Sequence, residues 1–479
     1  MTPSPCSHDT LLITPSSHAV HAGYTQPTPS KCLAATTASG RAPSDSQKAQ
    51  SSWSFPAPLA LPGDELAYDP SYPPQSFRSW KQEKDRNQIT ANRRTIYVAA
   101  PPTIKDADAV IRDWAHSPLL DAGVEGKLAQ PKTEDVMEYI SAFYHPIPVC
   151  PLPTPFRLTT WDEAPPKKSR SAPSSMKHVA LAHGASATRI RVRSRSAKEI
   201  YTQQLNLDDV LDSAIAALPD DAYALLLLVH HDLYEGDDDD FCCGRAYGGS
   251  RVAVVTSARY HPGLDVAQEL REARGHAWPA SRCADYVKRL CEEGGEGEST
   301  KHKRGKSKAP PPNEDGAEPE PKNSPIRLAV SALLTPPSPA PTLTRNLELL
   351  YLSRFALTAS HELGHTFGLD HCVYYSCIMN GIASLAEDAR AAPYLCAVCS
   401  VKVGTVGLES EGRESGAKGK GVAKTDLGKE IAEAELERCR RLHAVCERWG
   451  AGDMFRAFGG WLSGRIVELE GRKKSANGH

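Results

Sequence analysis

The sequence predicts an α+β protein: a twisted mixed sheet with backing helices, one long donor-bearing helix, and a helical C-terminal segment. Three observations predict it. Residues 223–229 read Tyr-Ala-Leu-Leu-Leu-Leu-Val, apolar at every position, as suits a strand buried on both faces. Residues 241–247 and 251–257 flank Gly248-Gly249, so they read as two strands joined by a glycine hairpin. From Leu343 onward, Leu350, Leu357, His361 and His365 fall on neighbouring stripes of one helix, so that apolar packing aims the histidines inward.

The elements follow in chain order. Residues 1–55 are Ser, Thr, Pro and Ala with little large apolar content, which predicts a disordered tail. One folded domain is expected over 56–405, with disordered inserts at about 163–178 and 293–325, a polar linker at 406–424, and a C-terminal helical segment at 425–479 packed on the domain. Within the domain, residues 95–100 form a short β-type run and residues 105–116 an amphipathic helix. Residues 187–193 alternate as a half-exposed strand does, with arginines on the solvent face. Asn206 caps a helix over 207–217, Asp208 and Asp209 sitting in its positive first turn. His230, His231 and Asp232 read as polar groups at a strand end, and residues 237–240 as a solvated acidic tip without the spaced ligands of a calcium loop.

Composition narrows the function. The chain has 479 residues, 38 of them proline, so part of its length is not packed core. Lys plus Arg number 56 against 58 Asp plus Glu, a formal net charge of −2, which gives no electrostatic reason to expect nucleic acid or an anionic membrane as partner. No apolar run approaches the roughly 20 residues of a membrane span. The first residues have neither a charged n-region nor an apolar h-region, so no secretory signal is expected and the protein is placed inside the cell, in cytoplasm or nucleus. It is expected to act as a monomer.

The chemistry concentrates in residues 361–371, His-Glu-Leu-Gly-His-Thr-Phe-Gly-Leu-Asp-His. On a helix His361 and His365 lie one turn apart and can share one ion at about 2.0–2.1 Å. Glu362 is offset one position, so its carboxylate flanks the ion without ligating it and can take a proton from water. Gly368 accepts positive φ and turns the chain back, which brings His371 round as third ligand. Asp370 offers a carboxylate alternative, but the geometry of the turn favours His371 and leaves Asp370 as an outer partner. Immediately beyond, Cys372, Cys377, Cys396 and Cys399 make two thiolate pairs, the pattern of a closed tetrahedral structural zinc site. Met379 lies inside that loop, beneath the expected position of the first ion.

Residues 361–399 closely resemble the archaemetzincin (archaelysin) family of metzincin-like peptidases. The resemblance rests on the zinc helix running directly into a cysteine, a second cysteine and methionine just after, and a closing C-x-x-C. Residues 277–283, Ala-Trp-Pro-Ala-Ser-Arg-Cys, and the Pro-rich inserts look most like fungal members. The resemblance implies a metzincin-like catalytic domain with a small four-cysteine lower subdomain and two zinc ions per chain. It implies His361, His365 and His371 as catalytic ligands, Glu362 as general base, Met379 as the Met-turn, and a peptide or protein substrate. It further implies that backbone groups at Gly244, Arg245 and Ala246 align an extended substrate by strand addition. Tyr374, Tyr375 and Tyr394 lie near the site in sequence, and none takes an assigned role. The competing expectation is a zinc-stabilised protein that holds peptides with little or no catalysis, for which the Glu362 carboxylate has no physical use.

Overall fold

The computed structural model describes residues 8–42, 51–120, 127–161, 176–296, 321–412 and 427–477. Its centre is the apolar run. Strand β7 (Ala222–Val229) is buried along its whole length, and its residues feed two cores. Ala224, Leu226 and Leu228 enter one, while Leu225, Leu227 and Val229 enter the other. Each fully buried leucine contributes about 1.5–3 kcal/mol relative to exposure, so a charge at any of these positions would open one core or the other.

Around β7 runs a five-stranded sheet in the order β2 (Val149–Pro151), β1 (Thr95–Ala99), β7, β10 (Val252–Thr256), β9 (Gly244–Tyr247). All neighbours are parallel except β9, which pairs antiparallel with β10 through Val252–Tyr247 to Val255–Gly244 and forms the edge. The connection is the expected glycine hairpin: a 3-10 turn over Gly248–Ser250 closes it. A second five-stranded sheet, β3 (Phe156–Thr160), β4 (His178–His183), β5 (Ser186–Ser194), β6 (Gln203–Asn206) and β8 (Leu233–Tyr234), covers the other core. Between the sheets lies the helix Leu207–Ala216, whose first turn is capped by Asn206 accepting from the Asp209 N–H at 3.1 Å.

The long helix Leu343–Thr366 packs under β9 and β10. Thr342 caps its start by accepting the Arg345 N–H. Gly368, at φ +76°, follows its C-terminus and reverses the chain. Phe355, Ala356, Ala359 and Leu363 bury one flank of it in the first core. That same core continues without a break through the four cysteines of residues 372–399 and into the C-terminal helices, so the cysteine loop has no core of its own and is not a separable lower part.

Several expectations are corrected. Residues 8–42 are not a featureless tail: helices Ser17–Ala22 and Pro29–Ala35 are capped by Ser16 and Thr28, and the Tyr24 hydroxyl donates to the Val373 carbonyl at 2.8 Å. Small residues make this possible, because Ala19 needs only the niche formed with Tyr24 and Ala60. Residues 105–116 split into a 3-10 turn, Asp106–Asp108, and a short helix, Ala109–Asp113. Asp108 is drawn aside to accept the Thr159 hydroxyl and the Thr160 N–H. The expected linker at 406–424 begins as helix, since Ala397–Ser410 is continuous; its stretch 413–424 and most of the two inserts lie outside the described residues. The C-terminal segment is two helices, Leu427–Arg448 and Asp453–Asn477. Among the described residues no helix is long and apolar enough to cross a membrane.

Candidate metal centres and the cleft

The long helix and the turn after it bring three imidazoles together. His361 and His365 Nε2 atoms stand 3.0 Å apart, and the His371 ring lies 5.4 and 5.1 Å from theirs, centroid to centroid. One donor atom from each lies within 4.8 Å of the others. His361 Nδ1 faces the Ile378 carbonyl at 2.7 Å and His365 Nδ1 the Leu369 carbonyl at 2.7 Å. A ring that donates from Nδ1 keeps its Nε2 lone pair free and aimed. Burial, reinforced by the neighbouring imidazoles, lowers His361 to about 3 and His365 and His371 to about 4, so all three are neutral donors at neutral pH. The set fits zinc: bonds of about 2.0–2.1 Å in a tetrahedron place nitrogens roughly 3.4 Å apart.

Glu362 is buried beside them, and burial pushes its carboxyl up to about 8 against the pull of Arg245. The edge strand closes over it. A Cβ on Gly244 would meet Glu362 Cγ at 3.1 Å, and one on Gly248 would fall 2.6 Å from the His365 carbonyl oxygen. Glycine at both ends of β9 therefore lets the strand lie against the helix. Arg245 pairs with Glu235 at 3.0 Å, and Ala246 packs toward the core. These groups and the three histidines line one open cleft of about 930 Å³.

Met379 lies directly beneath the helix: a Cβ on Gly364, between the two helical histidines, would land on its sulfur. Asp370 does not act as an outer partner to the rings. It is exposed, its N–H goes to Gln75 Oε1, and backbone carbonyls take the Nδ1 positions of His361 and His365. Tyr374, Tyr375 and Tyr394 are buried in the core and none lines the cleft.

The four cysteines form the second cluster. All are buried and their sulfurs lie within 4.8 Å of one another. Cys372 and Cys396 Sγ stand 3.6 Å apart, far beyond a disulfide bond of about 2.05 Å and close to the roughly 3.8 Å edge of a tetrahedron with 2.3 Å Zn–S bonds. Thiols packed so tightly favour ionisation of one member: hydrogen bonds from Cys377, Cys396 and Cys399 hold Cys372 well below the ordinary thiol range. A divalent cation is what such a set accommodates.

Sequence reasoning missed the residues that brace these centres from far away in the chain. Asn380 donates to the Cys372 and Tyr375 carbonyls and accepts the Cys377 N–H, closing the loop on itself. Gln75 donates to the Gly368 carbonyl and is itself gripped by Lys402 Nζ. Asn87 holds the hairpin through the Gly248 and Gly249 carbonyls. The Tyr72 ring stands 5.6 Å from the His371 ring. Only spatial neighbourhood marks them; no local pattern does.

Three neutral imidazoles with a buried carboxyl beside them, under an edge strand, make a candidate metal site open to a cleft. Residues 330–405 match Peptidase family M54. An archaemetzincin of Methanopyrus kandleri is 47% identical over 51 residues, 11% of this chain and 29% of that one. Archaemetzincin-2 of Homo sapiens is 42% identical over 52 residues, 11% of this chain and 14% of that one. The matched stretch thus spans under a third of the length of these relatives. A solved archaemetzincin structure from Methanopyrus kandleri matches 64% of this chain and 92% of that chain at 16% identity, with a TM-score of 0.28, and carries no argument about the fold. The segment around the donor helix is thus similar to archaemetzincins.

Proposed function

We propose that the protein is a zinc-dependent peptidase that hydrolyses peptide bonds in the cleft beneath β9, with Glu362 as general base. The observation that carries this reading is the convergence of His361, His365 and His371 on one point, with the Glu362 carboxylate beside it and an edge strand alongside. His361, His365 and His371 would hold the ion. When bound, zinc supplies a Lewis acid that polarises a carbonyl and acidifies water. An extended peptide adds to β9 along Gly244, Arg245 and Ala246 through backbone hydrogen bonds. Glu362 takes the proton from the attacking water at a carboxylate oxygen and delivers it to the leaving amine nitrogen. Burial pushes this carboxyl up in the metal-free chain, and the positive charge of a bound zinc would draw it back toward the ionised form a base needs. Met379 supports the helix from below. Cys372, Cys377, Cys396 and Cys399 hold a second zinc with no open position, which ties the loop after His371 to the core.

The test is zinc stoichiometry of the purified chain with mass-spectrometric analysis of a mixed peptide pool. Two ions per chain and zinc-dependent new termini support the reading. A folded, zinc-loaded chain that binds peptides and cuts none sinks it in favour of a peptide-holding protein.

A further inference from the structure

The cleft has a wall that the proposed reaction leaves unused. Past the start of β9, the Tyr260 hydroxyl meets Thr358 Oγ1 at 2.6 Å, one turn before His361 on the long helix. Asp388, on the short helix Leu385–Arg390, lies close to the same tyrosine and lines the cleft with Leu357 and Leu385. The cation nearest it is already engaged: Arg354 is held by both Asp265 oxygens at 2.7 and 3.1 Å.

Strand direction says which part of a peptide arrives there. β9 runs from Gly244, against Glu362, to the Gly248 turn, against His365. A peptide added antiparallel, the commoner and slightly stronger pairing, runs the opposite way, from the His365 end past Glu362 toward Asp388. Its residue just beyond the scissile bond, on the leaving-amine side, therefore projects toward Leu357, Leu385 and Asp388. Acidic side chains outnumber basic ones around it. Glu83, Asp85, Asp239, Asp240 and Asp370 line the same cleft with Arg86 and Arg245; both arginines are ion-paired, with Glu409 and Glu235, and Asp240 is paired with Arg195.

We infer that the cleft selects peptides with lysine or arginine immediately after the bond to be cut, Leu357 and Leu385 covering the aliphatic stem and Asp388 receiving the cationic head. Long basic side chains suit such a wall, burying their methylenes while the charge reaches an acceptor. Discrimination against an acidic side chain follows from like-charge repulsion in the same pocket.

This rests on the peptidase reading, and the experiment separates the two. Blocked fluorescent peptides differing only in Lys, norleucine or Glu at one position are titrated onto the full-length zinc-loaded Glu362→Gln chain, and the same peptides are incubated with wild type and mapped by mass spectrometry. The expected result is binding of the Lys peptide about tenfold tighter than norleucine, with Glu weakest, and cleavage on the N-terminal side of the lysine. Asp388→Asn should bring the Lys-to-norleucine ratio to about one, and Asp388→Glu should restore most of it. A ratio near one in the starting chain, a ratio that survives Asp388→Asn, or cleavage on the other side of the lysine overturns the inference. Preferential binding of the Lys peptide without any cleavage by wild type leaves the pocket standing and removes the peptidase.

Discussion

His371 and Cys372 are adjacent in the chain, yet they belong to donor clusters of opposite character. The histidine cluster has two members on a rigid helix and one on the turn behind it, with His365 and His371 partly exposed to a wide cleft. All four cysteines are buried, drawn from a loop and the start of the next helix. The difference teaches how one short segment separates chemistry from support. Neutral nitrogen donors beside an opening leave room for a substrate atom, whereas four soft donors in a closed shell satisfy an ion and exclude everything else.

The largest test of that division is to remove part of the closed shell. Cys396→Ser with Cys399→Ser should halve the zinc content and cost much of the fold, since binding energy at a structural zinc site is folding energy, on the order of 10 kcal/mol. Elemental analysis with thermal unfolding measures it, and an unchanged melting temperature would end the structural assignment. Next comes the open site: Glu362→Gln should keep zinc and fold while slowing peptide cleavage by about 10²–10⁴-fold. A glutamine variant that cuts at the wild-type rate while folded and metallated removes Glu362 from the mechanism. Smaller still is Gly364→Ala, whose methyl collides with Met379 and should cost about 1–3 kcal/mol of stability by overpacking. Adding Met379→Ala should then cost less than the sum of the two single changes, and strict additivity would deny the contact. The subtlest difference is kinetic: dilute chelator should strip the histidine site, and with it activity, well before the cysteine site. Equal rates of zinc release would break the comparison outright.

What the sequence made legible was local. The 361–371 run announced its donors because helical spacing and one glycine turn fix where those side chains go, and all three imidazoles do converge. Strand β7 was legible because eight residues buried on both faces leave no polar position, and the hairpin because two glycines interrupt two apolar runs. Order in residues 8–42 was not legible. Its helices are short, capped by single Ser and Thr residues, and held by distant partners such as Val373 and Cys283. The final helix Asp453–Asn477 was hidden as a separate element of the expected helical segment because its composition includes four glycines and charges around Phe455, Phe458, Trp461 and Leu462. Gly460 and Gly464 in fact serve packing, since a Cβ at either would strike the helix Pro325–Leu334. Asp388 carried no signal of any kind, because its meaning comes from Tyr260 and from the direction of β9.

The single peptide bond between His371 and Cys372 has a consequence for how the protein would fail under oxidative attack. The Cys372 N–H donates to the Met379 carbonyl at 2.6 Å, and Asn380 grips the Cys372 carbonyl at 2.6 Å, so this cysteine cannot shift without moving the residue before it. A peroxide that oxidised one sulfur of the quartet to the sulfenic level, releasing water, would add an oxygen where none fits. The strain would pass along the backbone into the imidazole next door. Inactivation would then begin at a thiol that no substrate ever meets, and restoring the sulfur by reduction, rather than supplying fresh metal, would be the step that brings the cleft back.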